Sequence, residues 1–443
     1  MTAETLPGLR DAAAEEFASR KRLLSPAIEA LREEAYGKFV ALGWPGPRDE
    51  NWRHTPVSAI ASTPFRPLDG GAPPALAADA HDLAVIDRLP GARIVIANGR
   101  FSAELSRLAA EPRITVESLR QAIARSPEEI GAHLARTLPE ESAFTHLNAA
   151  FLTDGAVITV PDGVVIREPL HVVFLAASKG AAPAFFPRNI LRVGRNAEVT
   201  IVNTYAGNGA SLTDAVTLAD VGENGKLTLV TIQRQGKEAS HVGFTAAEIA
   251  RAGSFTRHLF SIGSAVSRDV VHARLSGEGA ECSLDGLFMT EDDQRVDLVT
   301  IVDHARPHGT SRQTYKGILD GRSRGAFTGR VIVRPDAQKT DAQQSNKNLL
   351  LSREAIVNST PALEIRANDV KCKHGSTTGQ IDENALFYLR SRGLSETEAR
   401  TLLTYAFASE LVRRVPAGAV RADIDGALHE RLPQAPGISE LSR

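Results

Sequence analysis

The chain has 443 residues, 42% of them hydrophobic, and its 51 basic and 53 acidic side chains give a formal charge of −2. That size and apolar content support a sizeable core, in about two or three domains or in one long architecture with ends attached. Near-neutral charge argues against a nucleic-acid binder working by bulk charge, because neutralising phosphates needs an excess of Lys and Arg. The opening MTAETLPGLRDAAAEEF has no apolar core, so no signal peptide is expected, and apolar runs such as VVFLAA at 172–177 are far too short to cross a bilayer. Cys282 and Cys372 are the only cysteines and no CxxC occurs, which excludes a structural zinc site or a self-contained four-cysteine cluster on ligand count; two free thiols are expected.

The first forty residues read as helical. Ser25-Pro26 breaks and restarts the pattern, and Ile28, Leu31, Ala35 and Phe39 mark one buried face before Gly43 and the WPGP run end it. Residues 66–80, rich in Pro, Ala and Gly, read as a linker or long loop. VIDRLP at 85–90 and ARIVIANG at 92–99 look like strand and turn, and 115–136 looks helical. From about 156 to 365 the chain becomes short alternating runs of Val, Thr, Ile and Leu punctuated by Gly and Asn, with no convincing helix.

A weak repeat runs through this stretch. VGRNAEVTIV (193–202), VGENGKLTLV (221–230), IARAGSFTRHL (249–259) and LSGEGAECSL (275–284) share an apolar residue, a polar Gly-containing turn and an alternating strand, and LDGRSRGAFTGRVIV (319–333) resembles a further copy. Taking Ala197, Lys226, Ser254 and Ala280 as equivalent, the steps are 29, 28 and 26 residues. A propeller blade needs about 40–45 residues, so a shorter period fits one coil of a β-helix better; the alternative is a β-sandwich with Gly-rich hairpins. After 380 helices return. Asp382 caps DENALFYLRSRG, Gly393 suits its C-terminal turn, Ser395 and Glu398 form a capping box, and Leu402, Leu403, Ala406, Phe407 and Leu411 supply an apolar face that Pro416 stops. The expected division is a mixed, largely helical region at 1–155, a β-helix core at 156–380 and a helical region at 381–443.

Nothing resembles a nucleotide loop: GNG at 207–209 and GEG at 277–279 lack the third Gly and a following helix, and neither GK dipeptide has the Walker spacing. His304 and His308 in DHARPHG sit at i, i+4, but Pro307 and Gly309 oppose a helix, so a loop or strand histidine with a hydrogen-bond partner is the default. Glu291, Asp292 and Asp293 read as a solvated turn before they read as the carboxylates of a β-helix carbohydrase. VKCKHG at 370–375 is the most informative. On an extended strand Cys372 and His374 project from one face, between lysines that would lower the thiol pKa. Thiolate plus imidazole suits Zn, Cu or Fe–S ligation, but two ligands do not complete a site and a partner chain must supply the rest; a nucleophile with its base, or an edge-strand Cys beside an exposed His, are the other readings.

The segment AQKTDAQQSNKNLLLSREAIVNSTPALEIRANDVKCKHGSTTGQIDENALFYLRSRGL at 337–394, supported by DHARPHGTSRQTYKGILDGRSRGAFTGRVIV at 303–333 and ENWRHTPV at 50–57, closely resembles the SufB/SufD family of SUF-system iron–sulfur assembly proteins. KCKHGSTT stands where the SufB branch carries an EHEATT-like string, so the resemblance is to the SufD branch. It implies a right-handed parallel β-helix between helical ends. It implies a non-enzymatic, cytoplasmic scaffold that pairs with a SufB-like sister, or with itself, and that docks a SufC-like ABC ATPase through about 380–415. A transient Fe–S cluster would form at the SufB–SufD interface, with none held stably by this chain alone. By residue match His374 is the favoured interfacial ligand and Cys372 a less certain accessory. No flavin motif, nucleic-acid partner or membrane partner is expected. The rival class is a β-helix carbohydrate-active enzyme; a homodimeric binding module without a cluster is the third.

Overall fold

The computed structural model describes residues 8–20, 24–46, 48–67, 80–108, 113–136, 138–139, 141–152, 154–177 and 182–432. Its N-terminal part holds helices α1 (Leu9–Ser19), α2 (Pro26–Leu42), α3 (Val57–Ala61), α4 (Ala80–Asp87), α5 (Leu119–Arg125), α6 (Pro127–Leu134) and α7 (Ala143–Ala150). Pro26 opens α2 at its first turn, and Gly43, in the left-handed region at φ 66°, closes it by donating its N–H to the Phe39 carbonyl. Phe17, Phe39, Trp52, Phe144 and Phe151 gather into a core with Ala184, Leu212 and Val242 from the outer face of the following sheet. The ENWRHTPV stretch is pinned to that sheet. Thr55 donates to Asp297 at 2.5 Å, Arg268 pairs with Asp297 and covers the Trp52 ring at 4.0 Å, and its other nitrogen reaches the Asn51 carbonyl at 2.9 Å.

Two expectations in this part fail. VIDRLP is the end of α4 and a turn, because Val85, Ile86 and Leu89 bury at helical spacing rather than alternately. The 115–136 stretch begins as a strand, Thr115–Ser118, before a Ser118–Gln121 capping box starts α5. Of the supposed linker, Arg66–Pro67 pairs with Pro183–Ala184; its remainder up to residue 79 lies outside the described residues.

From Ala156 to Gly379 the chain is a parallel β-solenoid of about eight turns. From Arg188 onward successive strands alternate between two sheets, so each strand pairs with those one coil before and after it. Glu198, Lys226, Ser254, Glu281, Thr310, Asp341 and Lys371 stand in one column, in steps of 28, 28, 27, 29, 31 and 30 residues. The repeat is therefore real, but Ala197 and Ala280 are each one residue out of phase with Lys226 and Ser254. The cause of the period is the turn two residues earlier. Asn196, Asn224, Ala252, Gly279, His308 and Lys339 all adopt left-handed conformations, with φ between 51° and 68°. Each donates its N–H to a carbonyl of the next coil's turn, as from Asn196 to Glu223, Asn224 to Arg251 and His308 to Gln338. Asn and Gly recur there because they tolerate that conformation best.

The interior changes along the axis. The early coils fill it with Val172, Ile201, Leu229, Val271 and their neighbours. Later coils place Arg257 against Asp269 across the lumen at 2.7 and 2.8 Å, and then Gln313, Gln344, Asn346 and Asn348. Helices α8 (Glu383–Ser391), α9 (Glu396–Val412) and α10 (Gly418–Arg431) return along the outside of one sheet. Lys316 fastens α9 through Glu410 at 2.5 Å, Arg414 reaches Asp285 at 2.8 Å, and Arg234 reaches Asp423 of α10 at 3.2 Å.

Arg257→Met leaves Asp269 buried without its cation and is expected to cost about 3–5 kcal/mol in urea unfolding, whereas adding Asp269→Leu should recover more than half of that loss. Burial also depresses the ring pKa of His171 to about 3 and of His241, His258, His272 and His304 to about 4, from 6.5. Folded values lie below the unfolded one, so the unfolded chain binds more protons in between, and stability falls as pH drops from about 6.5 toward 4. Melting temperature followed by circular dichroism should be flat above about pH 7 and decline below 6.5; a profile still flat at about pH 5 would refute the neutral buried rings.

Candidate functional site at the open end of the solenoid

The two ends of the solenoid are built differently. At the N-terminal end Arg100–Phe101 and Thr115–Ser118 add antiparallel to Arg93–Ala97 and Ala156–Val160, so the stack is finished by its own chain. At the C-terminal end the last strands, Ile356–Ile365 and Lys371–Gly379, are the outermost members of the two sheets and have no further strand among the described residues. Both carry mostly exposed or half-buried side chains. A parallel ladder has no self-limiting edge, so these strands present a row of free backbone donors and acceptors.

Cys372 and His374 lie on the second of these strands. Their register partners are Ala342 and Gln344, both buried on the lumen side, so the pair faces the mouth of the lumen, at Cα positions roughly 6.6 Å apart. Cys372 is half-buried against Val331, Val333, Ala342 and Leu363. His374 is exposed and makes no hydrogen bond among the described residues. Ser376 and Ser359 bridge the mouth at 2.8 Å. The flanking Lys371 and Lys373 alternate to the outer side, and their expected effect on the thiol is overturned. Burial, aided by Asp341, pushes the Cys372 thiol up, and a hydrogen bond with the Ala342 backbone only partly opposes it. Among the described residues no three His, Cys, Asp or Glu side chains converge as a metal cage. The mouth therefore holds one accessible imidazole and one recessed thiol.

The other sequence candidates fall elsewhere. His304 is a buried strand residue bonded to Ser311 at 2.9 Å, and His308 is a left-handed turn residue, so the two do not share a site. Glu291 and Asp292 pair with Lys237, and Asp293 with Arg322, in a turn. Cys282 is fully buried in the lumen, its thiol pushed up to about 12 by burial. On α9 the expected face holds at Leu411, which is buried, and in part at Leu403 and Phe407, which pack against the core, but the rest of the buried stripe is rotated from it. Ala399, Thr401, Thr404, Tyr405 and Ala408 are buried, whereas Leu402, Leu403 and Phe407 are half-buried and Ala406 is exposed. Beside them Phe387 and Tyr388 of α8 are 75% and 56% exposed. The sequence signal for this patch was present: two aromatics directly after Leu386, the one fully buried residue of α8.

The solenoid is finished by its own chain at one end and, among the described residues, is open at the other, where Cys372 and His374 lie. The chain matches the family model for the SUF system FeS cluster assembly, SufBD core domain, over residues 174–407, and that for the SufBD protein N-terminal region over residues 5–172. It is 31% identical to an iron–sulfur cluster assembly SufBD family protein of Synechocystis, over 87% of each chain. It is 29% identical to the iron–sulfur cluster assembly protein SufD of Escherichia coli, over 89% of this chain and 91% of that one. The chain belongs to the SufBD family of iron–sulfur cluster assembly proteins and is a homologue of SufD.

The raised Cys372 pKa has a direct consequence. Iodoacetamide labelling of the native chain is expected to be slow near neutral pH and to accelerate only above about pH 9, with Cys282 unlabelled until denaturant is added. Rapid labelling of Cys372 at about pH 7 would contradict it.

Proposed function

We propose that this chain is a non-enzymatic scaffold subunit of a cytoplasmic SUF complex, in which an Fe–S cluster is built where its open end meets a SufB-like sister chain. The observation that carries the reading is the pair of unpaired terminal strands with His374 and Cys372 at the lumen mouth. Strand addition by a second β-helix would satisfy both edges and bring its own ligands against His374. His374 is the favoured ligand, because it is accessible and an imidazole nitrogen suits iron. Cys372 is an accessory that must be uncovered before it can bind iron as thiolate. Iron and sulfide are cargo here.

In this reading the exposed Phe387 and Tyr388, with the half-buried Leu402, Leu403 and Phe407, dock a SufC-like ABC ATPase. Two adjacent aromatics exposed on one helix mark a candidate interaction site. ATP binding in that partner would shift the two scaffold chains and expose the interfacial ligands, a two-state switch driven from outside.

The test is His374→Ala in the complex co-expressed with sister chain and ATPase. Anaerobically reconstituted iron and acid-labile sulfide should fall about tenfold while affinity capture still recovers the three subunits. Equal iron in mutant and wild type would remove His374 from the site, and recovery of the wild-type chain alone would remove the partnership.

A further inference from the structure

The floor of the mouth is an amide, held in one orientation. Gln344 is the register partner of His374, one coil deeper on the lumen side, and is 4% exposed. Its side chain crosses the lumen to Gly329 on the opposite sheet, where a Cβ would stand 1.8 Å from Gln344 Nε2. Only a glycine at 329 admits the amide. Gln344 Nε2 donates to Gln313 Oε1 at 3.3 Å, and Thr300 Oγ1 donates to the same oxygen at 2.6 Å. In this arrangement the nitrogen of Gln344 faces inward. Its Oε1 is then left buried with no partner, and Gln313 Nε2 is a second buried atom without a partner.

An unpaired buried acceptor costs about 1–3 kcal/mol, so this oxygen stands ready for a donor. The adjacent side chain of the same lumen column on the mouth side is His374, which carries an N–H and makes no other hydrogen bond among the described residues. Neighbouring strands are about 4.8 Å apart, which puts an imidazole within one rotamer change of a side chain stacked below it. We propose that Gln344 is a positioning residue for His374: its amide oxygen accepts the imidazole N–H, fixes the tautomer, and turns the other ring nitrogen, with its lone pair, toward the mouth.

A neutral imidazole has one N–H and one lone pair. Spending the N–H on a fixed acceptor leaves the lone pair where an incoming metal ion needs it, and metal-binding histidines are generally held this way. A reversed amide would offer an N–H instead, favour the wrong tautomer and set its oxygen against Gln313 Oε1. The consequence for cluster building rests on the reading of His374 as ligand, but the hydrogen bond does not.

The experiment uses the full chain labelled with ring-15N histidine, at about pH 8 where an ordinary imidazole is neutral. His374 is assigned by the cross-peaks lost in His374→Ala. In wild type the ratio of the two tautomers should depart from that of free histidine by about two- to tenfold, the range a net hydrogen bond of 0.5–1.5 kcal/mol gives. Gln344→Met, similar in length but without an acceptor, should return the ratio to that of free histidine. Gln344→Glu should restore the bias. Gln313→Met, which frees the amide to reverse, should weaken it, and this variant serves if Gln344→Met fails to fold. A wild-type ratio equal to that of free histidine, or a bias unchanged in Gln344→Met or in Gln313→Met, overturns the proposal. If the bias responds but iron in the His374→Ala complex equals wild type, the positioning stands and the ligand reading falls; the converse pair of results removes the positioning alone.

Discussion

A parallel ladder cannot end itself. Every strand of the solenoid satisfies its backbone through the coil below and the coil above, and the left-handed turn residues from Asn196 to Lys339 add a second ladder along one corner. That arrangement is self-consistent in the middle and unsatisfied at both extremes. The N-terminal extreme is resolved locally, by two short antiparallel strands and the packing of α5 and α6 around Ile28 and Leu152. The C-terminal extreme is left open. Its outer positions carry Glu364, Lys371 and Lys373, exposed charges that oppose indiscriminate pairing while leaving the backbone available to a matched chain.

The interior follows the same asymmetry. Aliphatic side chains fill the coils beside the closed end, where burial contributes most to stability. Toward the mouth the wall that carries His374 turns to Gln, Asn and Ser, joined by bonds such as Asn348 to Asn346 at 2.7 Å and Gln344 to Gln313, while the facing sheet keeps Phe327, Val331 and Val333. A polar wall buries less apolar area, but it suits a mouth that is wet when free and covered when paired. Gly329 and Gln344 show how closely this is fitted, since a single Cβ would displace the amide.

Much of this was legible because one position recurs with an unusual backbone requirement. Asn or Gly at the left-handed corner stands out at 196, 224 and 279, so the coil length could be read to within a residue or two. The phase slipped at Ala197 and Ala280, because small residues were aligned where the true constant is the conformation two residues before the strand. Side-chain periodicity served worst where burial is shared with another element. The α9 stripe was placed on its leucines, yet tertiary ion pairs through Lys316 and Arg414 turn Thr404, Tyr405 and Ala408 inward instead. At the mouth, the i, i+2 spacing of Cys372 and His374 was readable, and so was the incompleteness of a two-residue site. The direction of the thiol shift was not. It depends on Val331, Val333 and Leu363, contributed by other strands, burying the sulfur while the lysines face away. Gln344 carried no signal by itself, because its role exists only in the register that stacks it beneath His374.

The chain also places its two outward-facing features close together. The strand bearing Cys372 and His374 ends at Gly379, and α8, with Phe387 and Tyr388 exposed, begins at Glu383. Few residues separate them, and Asp382 caps the helix so that it starts at a defined point. The strand has a ladder on one side only, which makes it the least restrained strand of its sheet. Helices α9 and α10 are held to the outer sheet by Lys316 to Glu410, Arg414 to Asp285 and Arg431 to Glu291. A partner engaging α8 and α9 therefore pulls against a fixed outer wall and a loosely held edge. In the proposed complex the compliant element is the strand that carries the ligands, and that is where a shift driven by the ATPase would be absorbed.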